Sequence, residues 1–159
     1  GGMGGDVITT GNGTDFIFGD NGKIEYTGLT GNLVLKSMAS MLPEFGGDDI
    51  VVTGNGDKHV IMGTGSDNAS TGTGDDILIG DNGNVIYDIN GIPALVYNTD
   101  PEIGGNDTLR GEAGDARAPG ALPLAGRKVH AHLDWPRDTA PLPPAASRRR
   151  GASRPRGTK

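Results

Sequence analysis

Cysteine is absent from the 159 residues, so neither disulfides nor thiolate metal sites are available to hold this chain together. Aromatic residues make up 4% and apolar residues 34%, against 29 glycines, too little to build an ordinary globular core. The length leaves room for one domain, and a solenoid held by ions suits this composition better than a globular enzyme. No apolar run approaches the roughly 18 residues a bilayer span needs, and the candidate Leu33-Val34-Leu35 stops at Lys36. A signal peptide pattern is also missing: the chain opens inside a repeat at Gly1-Gly2, and is expected to be a piece of a longer protein.

Catalytic signatures are lacking as well. Neither H-E-x-x-H nor G-x-S-x-G occurs, and Gly22-Lys23 is followed by Ile24 without the glycine spacing of a phosphate loop. No catalytic residues are therefore assigned, and the stretch is expected not to be an enzyme. Charge of one sign is unevenly spread: residues 1–115 carry −14, and residues 116–159 carry +8. The acidic part would repel phosphate, so nucleic acid is not an expected partner.

What the sequence does have is a nine-residue period. From Glu44 to Asp88 it reads EFGGDDIVV, TGNGDKHVI, MGTGSDNAS, TGTGDDILI and GDNGNVIYD. The same frame fits GGMGGDVIT and TGNGTDFIF at the start, and IGGNDTLR from Ile103 to Arg110. Glycines in the second and fourth places permit a tight turn, and β-branched or apolar triplets such as Ile77-Leu78-Ile79 suit a short strand. Alternation along each triplet turns the middle residue inward, giving Ile8, Ile17, Val51, Val60, Ala69, Leu78 and Leu109 as the core. Ala69 leaves its layer thin. Strands this short cannot stand alone, so the units must stack.

The frame G-G-x-G-x-D-x-U-x, with aspartate in the sixth place at Asp6, Asp15, Asp49, Asp67, Asp76 and Asp107, resembles the RTX or haemolysin-type calcium-binding repeat. The resemblance implies an all-β fold, a parallel β-roll stapled by calcium, with two strands per turn so that repeats two apart share an edge. Asp49 is then expected beside the turn of Asp67, and Asp67 beside Gly80-Asp81-Asn82-Gly83. Stacked carboxylates repel, and a divalent cation removes that penalty. Carboxylates together with backbone carbonyls around Gly2, Gly4, Gly11, Gly13, Gly63, Gly65, Gly72 and Gly74 form an oxygen-only donor set suited to Ca²⁺. Asp20 and Asp81 are candidates to contribute to a last site at the end of each array.

Lys58 stands where aspartate is expected, and its ammonium is expected to pair with Asp76 in place of a cation. His59 reads as an outward surface residue. His130 and His132 form an H-x-H pair that a strand would turn to one side, with no cysteine to complete a transition-metal site.

Taken in order, residues 1–26 form a repeat array ending in the GDNG of Gly19–Gly22, and 27–43 a β-hairpin insert with a turn at Thr30-Gly31-Asn32. Residues 44–88 form a second array ending in GDNG, 89–101 a second hairpin with its turn at Asn90-Gly91, and 102–115 the start of a third array. Pro43-Glu44 and Pro101-Glu102 open matching segments 58 residues apart, which lays a longer period of about sixty residues over the nonapeptides. Residues 116–159 hold 7 of the 10 prolines and 10 of the 14 basic residues and are expected to be disordered. A solvated linker, a secretion or anchoring segment and a reading-frame shift all remain open for them; the break in mid-repeat favours the last.

The resemblance further implies export by type I secretion, an extracellular location, and calcium ions and neighbouring repeats of the parent chain as partners, any surface ligand being unknown. The alternative is the C-terminal repeat segment of a secreted hydrolase or toxin, whose catalytic domain would lie upstream.

Overall fold

Turn-forming glycines in the first part of each nonapeptide and β-branched residues in its last third fold as a turn followed by a short strand. In chain order the strands are β1 (Val7–Thr9), β2 (Asp15–Phe18), β3 (Gly22–Leu29), β4 (Asn32–Ser40), β5 (Ile50–Val52), β6 (Lys58–Ile61) and β7 (Asn68–Thr71). They continue with β8 (Ile77–Ile79), β9 (Gly83–Tyr87), β10 (Pro93–Asn98), β11 (Thr108–Gly111), β12 (Ala116–Arg117) and β13 (Lys128–Ala131). The computed structural model describes residues 1–112 and the backbone of β12 and β13. Among the described residues every regular element is a strand, as expected for an all-β chain.

Successive nonapeptide strands alternate between two parallel sheets, ordered β1-β5-β7-β11 and β12-β13-β8-β6-β2. The register aligns Ile8, Val51, Ala69 and Leu109 across the first sheet and Ile17, Val60 and Leu78 across the second. Ile17, Val51, Val60, Ala69 and Leu78 are buried together between the sheets, with Met62 added and Ile8 and Leu109 packed at the margins. The expected inward set is thus the inner core.

Two findings depart from the sequence reading. The first concerns the two hairpin inserts. They pair with each other through β4 and β9, with Met38 opposite Val85, to form an antiparallel sheet ordered β10-β9-β4-β3. This sheet builds a second core of Met38, Ile61, Ile77, Ile79, Val85 and Tyr87, against which Phe16, Phe18 and Ile24 pack. Consequently His59 is buried, its Nδ1 2.5 Å from the Tyr87 hydroxyl and its ring stacked on that residue. The boundary expected at 26/27 falls inside β3, because the segment after each GDNG is the first strand of its hairpin.

The tail supplies the second departure. β13 pairs parallel with β8, Val129 opposite Ile77, because β8 offers a row of backbone groups at the sheet margin and Val129 suits a strand. The rest of residues 116–159, including His132, lies outside the described residues, and the expectation of disorder there with it.

Candidate metal centre

Alternation between sheets produces two stacks of turns. One contains residues 10–15, 53–58 and 71–76 and is called here the lysine edge. The other contains residues 1–6, 43–49, 62–67 and 101–107 and is called the aspartate edge. Close stacking demands glycine: Gly56 has φ +103, and a Cβ there would overlap the Gly13 carbonyl, while one on Gly105 would overlap the Gly65 carbonyl. Of the glycines singled out by the repeat, Gly4 lies against Gly47, Gly11 and Gly72 against Gly54, Gly74 against Gly56, Gly65 against Gly47, and Gly63 against Asp20. Gly2 donates its N–H to the Gly19 carbonyl.

The sixth-place side chains of Asp49, Lys58, Asp67, Asp76 and Asp107 reach toward the preceding turn of their own edge. On the aspartate edge, Asp49 Oδ1 accepts the Asp6 N–H at 2.7 Å, Asp67 Oδ1 the Asp49 N–H at 2.8 Å, and Asp107 Oδ1 the Asp67 N–H at 3.0 Å. On the lysine edge Asp76 Oδ1 accepts the Lys58 N–H at 3.0 Å. Repeats two apart therefore do stack, and one oxygen of each of these carboxylates is used by the ladder. Asp67 meets the turn of Asp107, to which Asp81 is joined by accepting the Gly105 N–H at 2.8 Å.

The second oxygens set the edges apart. Asp49 and Asp67 are 1% and 2% exposed, and Oδ2 of each has no hydrogen-bond partner. Asp49 Oδ2 faces Gly19 and the Met62 carbonyl, where a Cβ on Gly19 would strike both. Burial, with the charges of Asp107, Asp49 and Asp20 adding to it against the Asp49 N–H, pushes Asp67 up to about 7. Burial likewise raises Asp49 and Asp20. An unsatisfied buried carboxylate oxygen costs about 1–3 kcal/mol, a penalty that a cation reverses.

The lysine edge satisfies its carboxylates itself. Lys58 is fully buried, and its ammonium pairs with Asp15 Oδ2 at 3.0 Å, not with Asp76 as expected from its edge. The reason is the common direction of sixth-place side chains, which carries Lys58 toward the turn of Asp15. There the ammonium also donates to the carbonyls of Asn55, at 3.1 Å, and Gly13, so that it occupies an oxygen cage. Thr10 donates its hydroxyl to Asp15 Oδ2 at 2.8 Å, and Thr71 donates to Asp76 Oδ2 at 2.6 Å. The Thr10 hydroxyl and the Lys58 ammonium hold Asp15 below the usual carboxylate range.

Asp20 and Asp81 have a role not foreseen. Asp20 accepts the N–H groups of Gly47 and Thr64, while Asn21 Nδ2 donates to the Phe45 carbonyl. Asp81 and Asn82 repeat this on the Gly105 N–H and the Ile103 carbonyl. Each Asp-Asn pair thus joins the point where the chain leaves the stack to the point where it returns. The first-place threonines Thr10, Thr53 and Thr71 were also missed, although their recurrence in alternate repeats is visible in the sequence.

Among the described residues no three carboxylate or imidazole side chains converge on one point, so a cation on the aspartate edge would take one or two carboxylates and complete its shell with carbonyls. No described helix is long and apolar enough to cross a membrane. Comparison with protein families, characterised proteins and solved structures finds no match to the chain.

Proposed function

We propose that this chain is a calcium-binding repeat module of the RTX kind, a parallel β-roll braced by its hairpin sheet, that serves as an extracellular spacer or adhesive arm. The observation that supports it best is the pair of buried, unpartnered oxygens Asp49 Oδ2 and Asp67 Oδ2, set in turns rich in backbone carbonyls. Calcium takes roughly six to eight oxygen ligands in flexible geometry, which suits a site assembled from few carboxylates and many carbonyls. The smaller, strictly octahedral magnesium is less suited to it.

On this reading the −14 of residues 1–115 keeps the chain expanded during export at low calcium. Sites with affinities of about 10⁻⁴ to 10⁻³ M fill outside the cell. At a tenfold excess over Kd each filled site adds about 1.4 kcal/mol. Circular dichroism and thermal melting in chelator, calcium and magnesium test the proposal. Calcium should raise Tm and β signal where magnesium does not. Equal Tm and equal compactness in chelator and calcium would refute it.

A further inference from the structure

We propose that calcium loading is confined to the aspartate edge, and that the lysine edge is a permanently closed, ion-independent seam in which Lys58 replaces the cation. This inference rests on the calcium reading above and adds to it which aspartates take part. Every carboxylate oxygen that is both buried and unpartnered among the described residues, Asp49 Oδ2 and Asp67 Oδ2, belongs to the aspartate edge. Asp49 Oδ2 also has a carbonyl beside it, that of Met62, as a cation site requires.

The lysine edge presents the same fold of turn with its donors already supplied. The Lys58 ammonium lies among Asp15 Oδ2, the Asn55 carbonyl and the Gly13 carbonyl, which is the mixed carboxylate and carbonyl environment a hard cation would otherwise take. One turn further on, Asp76 is held by the Lys58 N–H and the Thr71 hydroxyl. A calcium ion arriving here would have to displace a buried ammonium and two hydroxyl hydrogen bonds. On the aspartate edge the place of Thr10 and Thr71 is taken by Gly1, Glu44, Met62 and Glu102, none of which brings a hydroxyl, with Glu44 in the repeat of Asp49 and Met62 in that of Asp67.

Equilibrium dialysis with radioactive calcium on the full chain, counting bound equivalents, tests the assignment. Asp67→Asn and Asp49→Asn should each lose at least one equivalent or bind at least tenfold more weakly. Asp15→Asn and Asp76→Asn should retain every equivalent, with affinities within about twofold of the parent. Lys58→Asp should gain one, which keeps the test informative even if an aspartate-edge variant fails to fold. Loss of calcium from Asp15→Asn or Asp76→Asn equal to that from Asp67→Asn, or no gain in Lys58→Asp, overturns the inference and leaves the calcium reading intact. A parent chain that binds no calcium overturns both.

Discussion

The two edges are built from the same nonapeptide and reach electrostatic balance in opposite ways. On one, an internal ammonium and two threonine hydroxyls meet the carboxylates. On the other, one buried oxygen each of Asp49 and Asp67 has no hydrogen-bond partner. The difference turns on few residues: lysine for aspartate in one sixth place, and threonine against glycine, glutamate or methionine in the first place. A repeat can thus keep its backbone and change its dependence on solution ions by two side chains.

The comparison breaks most visibly at Lys58. Lys58→Met removes the partner of Asp15 and leaves the Gly13 and Asn55 carbonyls without the ammonium, at a cost of about 3 kcal/mol. Urea denaturation should show this loss in chelator and in calcium alike; a loss that calcium repairs would mean the lysine edge can take the ion.

Acid sharpens the contrast next, because the side of the molecule that needs no ion carries the buried His59. Burial holds this imidazole down at about 4, against an ordinary 6.5, with Asp57 and Asp76 opposing the shift. The unfolded chain then binds more protons between those values, so stability is present above pH 6.5 and falls as the pH drops toward 4. By pH 5 the loss is about 2 kcal/mol. In saturating calcium, His59→Phe should flatten the stability profile between pH 6.5 and 5, and an unchanged slope would show that the acid sensitivity lies elsewhere.

The smallest expected effect is at Thr71. Thr71→Val removes one buried hydroxyl bond to Asp76 and should cost about 1 kcal/mol, measured by chemical denaturation and independent of calcium.

Much of the architecture was legible because a strict period of nine fixes which residue of each triplet turns inward. Val51, Val60 and Leu78 are buried as that period requires, and Asn90-Gly91 makes its turn, with Gly91 N–H bonded to the Asp88 carbonyl. The second core was not legible. Ile50-Val51-Val52 and Ile77-Leu78-Ile79 are equally apolar, yet Ile50 and Val52 are about half exposed while Ile77 and Ile79 are buried. Which sheet the hairpins cover is decided by the route of the chain through β4 and β9, and no local pattern in the triplets encodes it. His59 was misplaced for the same reason. Within the candidate site, the sixth-place aspartates were found by their spacing. The ladder direction that sends Lys58 to Asp15 depends on how side chains lean between turns, which spacing does not record.

The paired Asp20-Asn21 and Asp81-Asn82 clamps have a consequence for how such chains diversify. Since each clamp ties residue 20 or 81 directly to the returning backbone at Gly47 or Gly105, the stack is continuous across the junction whatever lies between. The register of the ladder is thereby set by the clamps, while the excursions act as sockets whose inner face still packs on Ile61, Ile77 and Ile79. Hairpins of other lengths can be grafted between clamp and return point, provided they keep that apolar face, while the ladder on either side keeps its register.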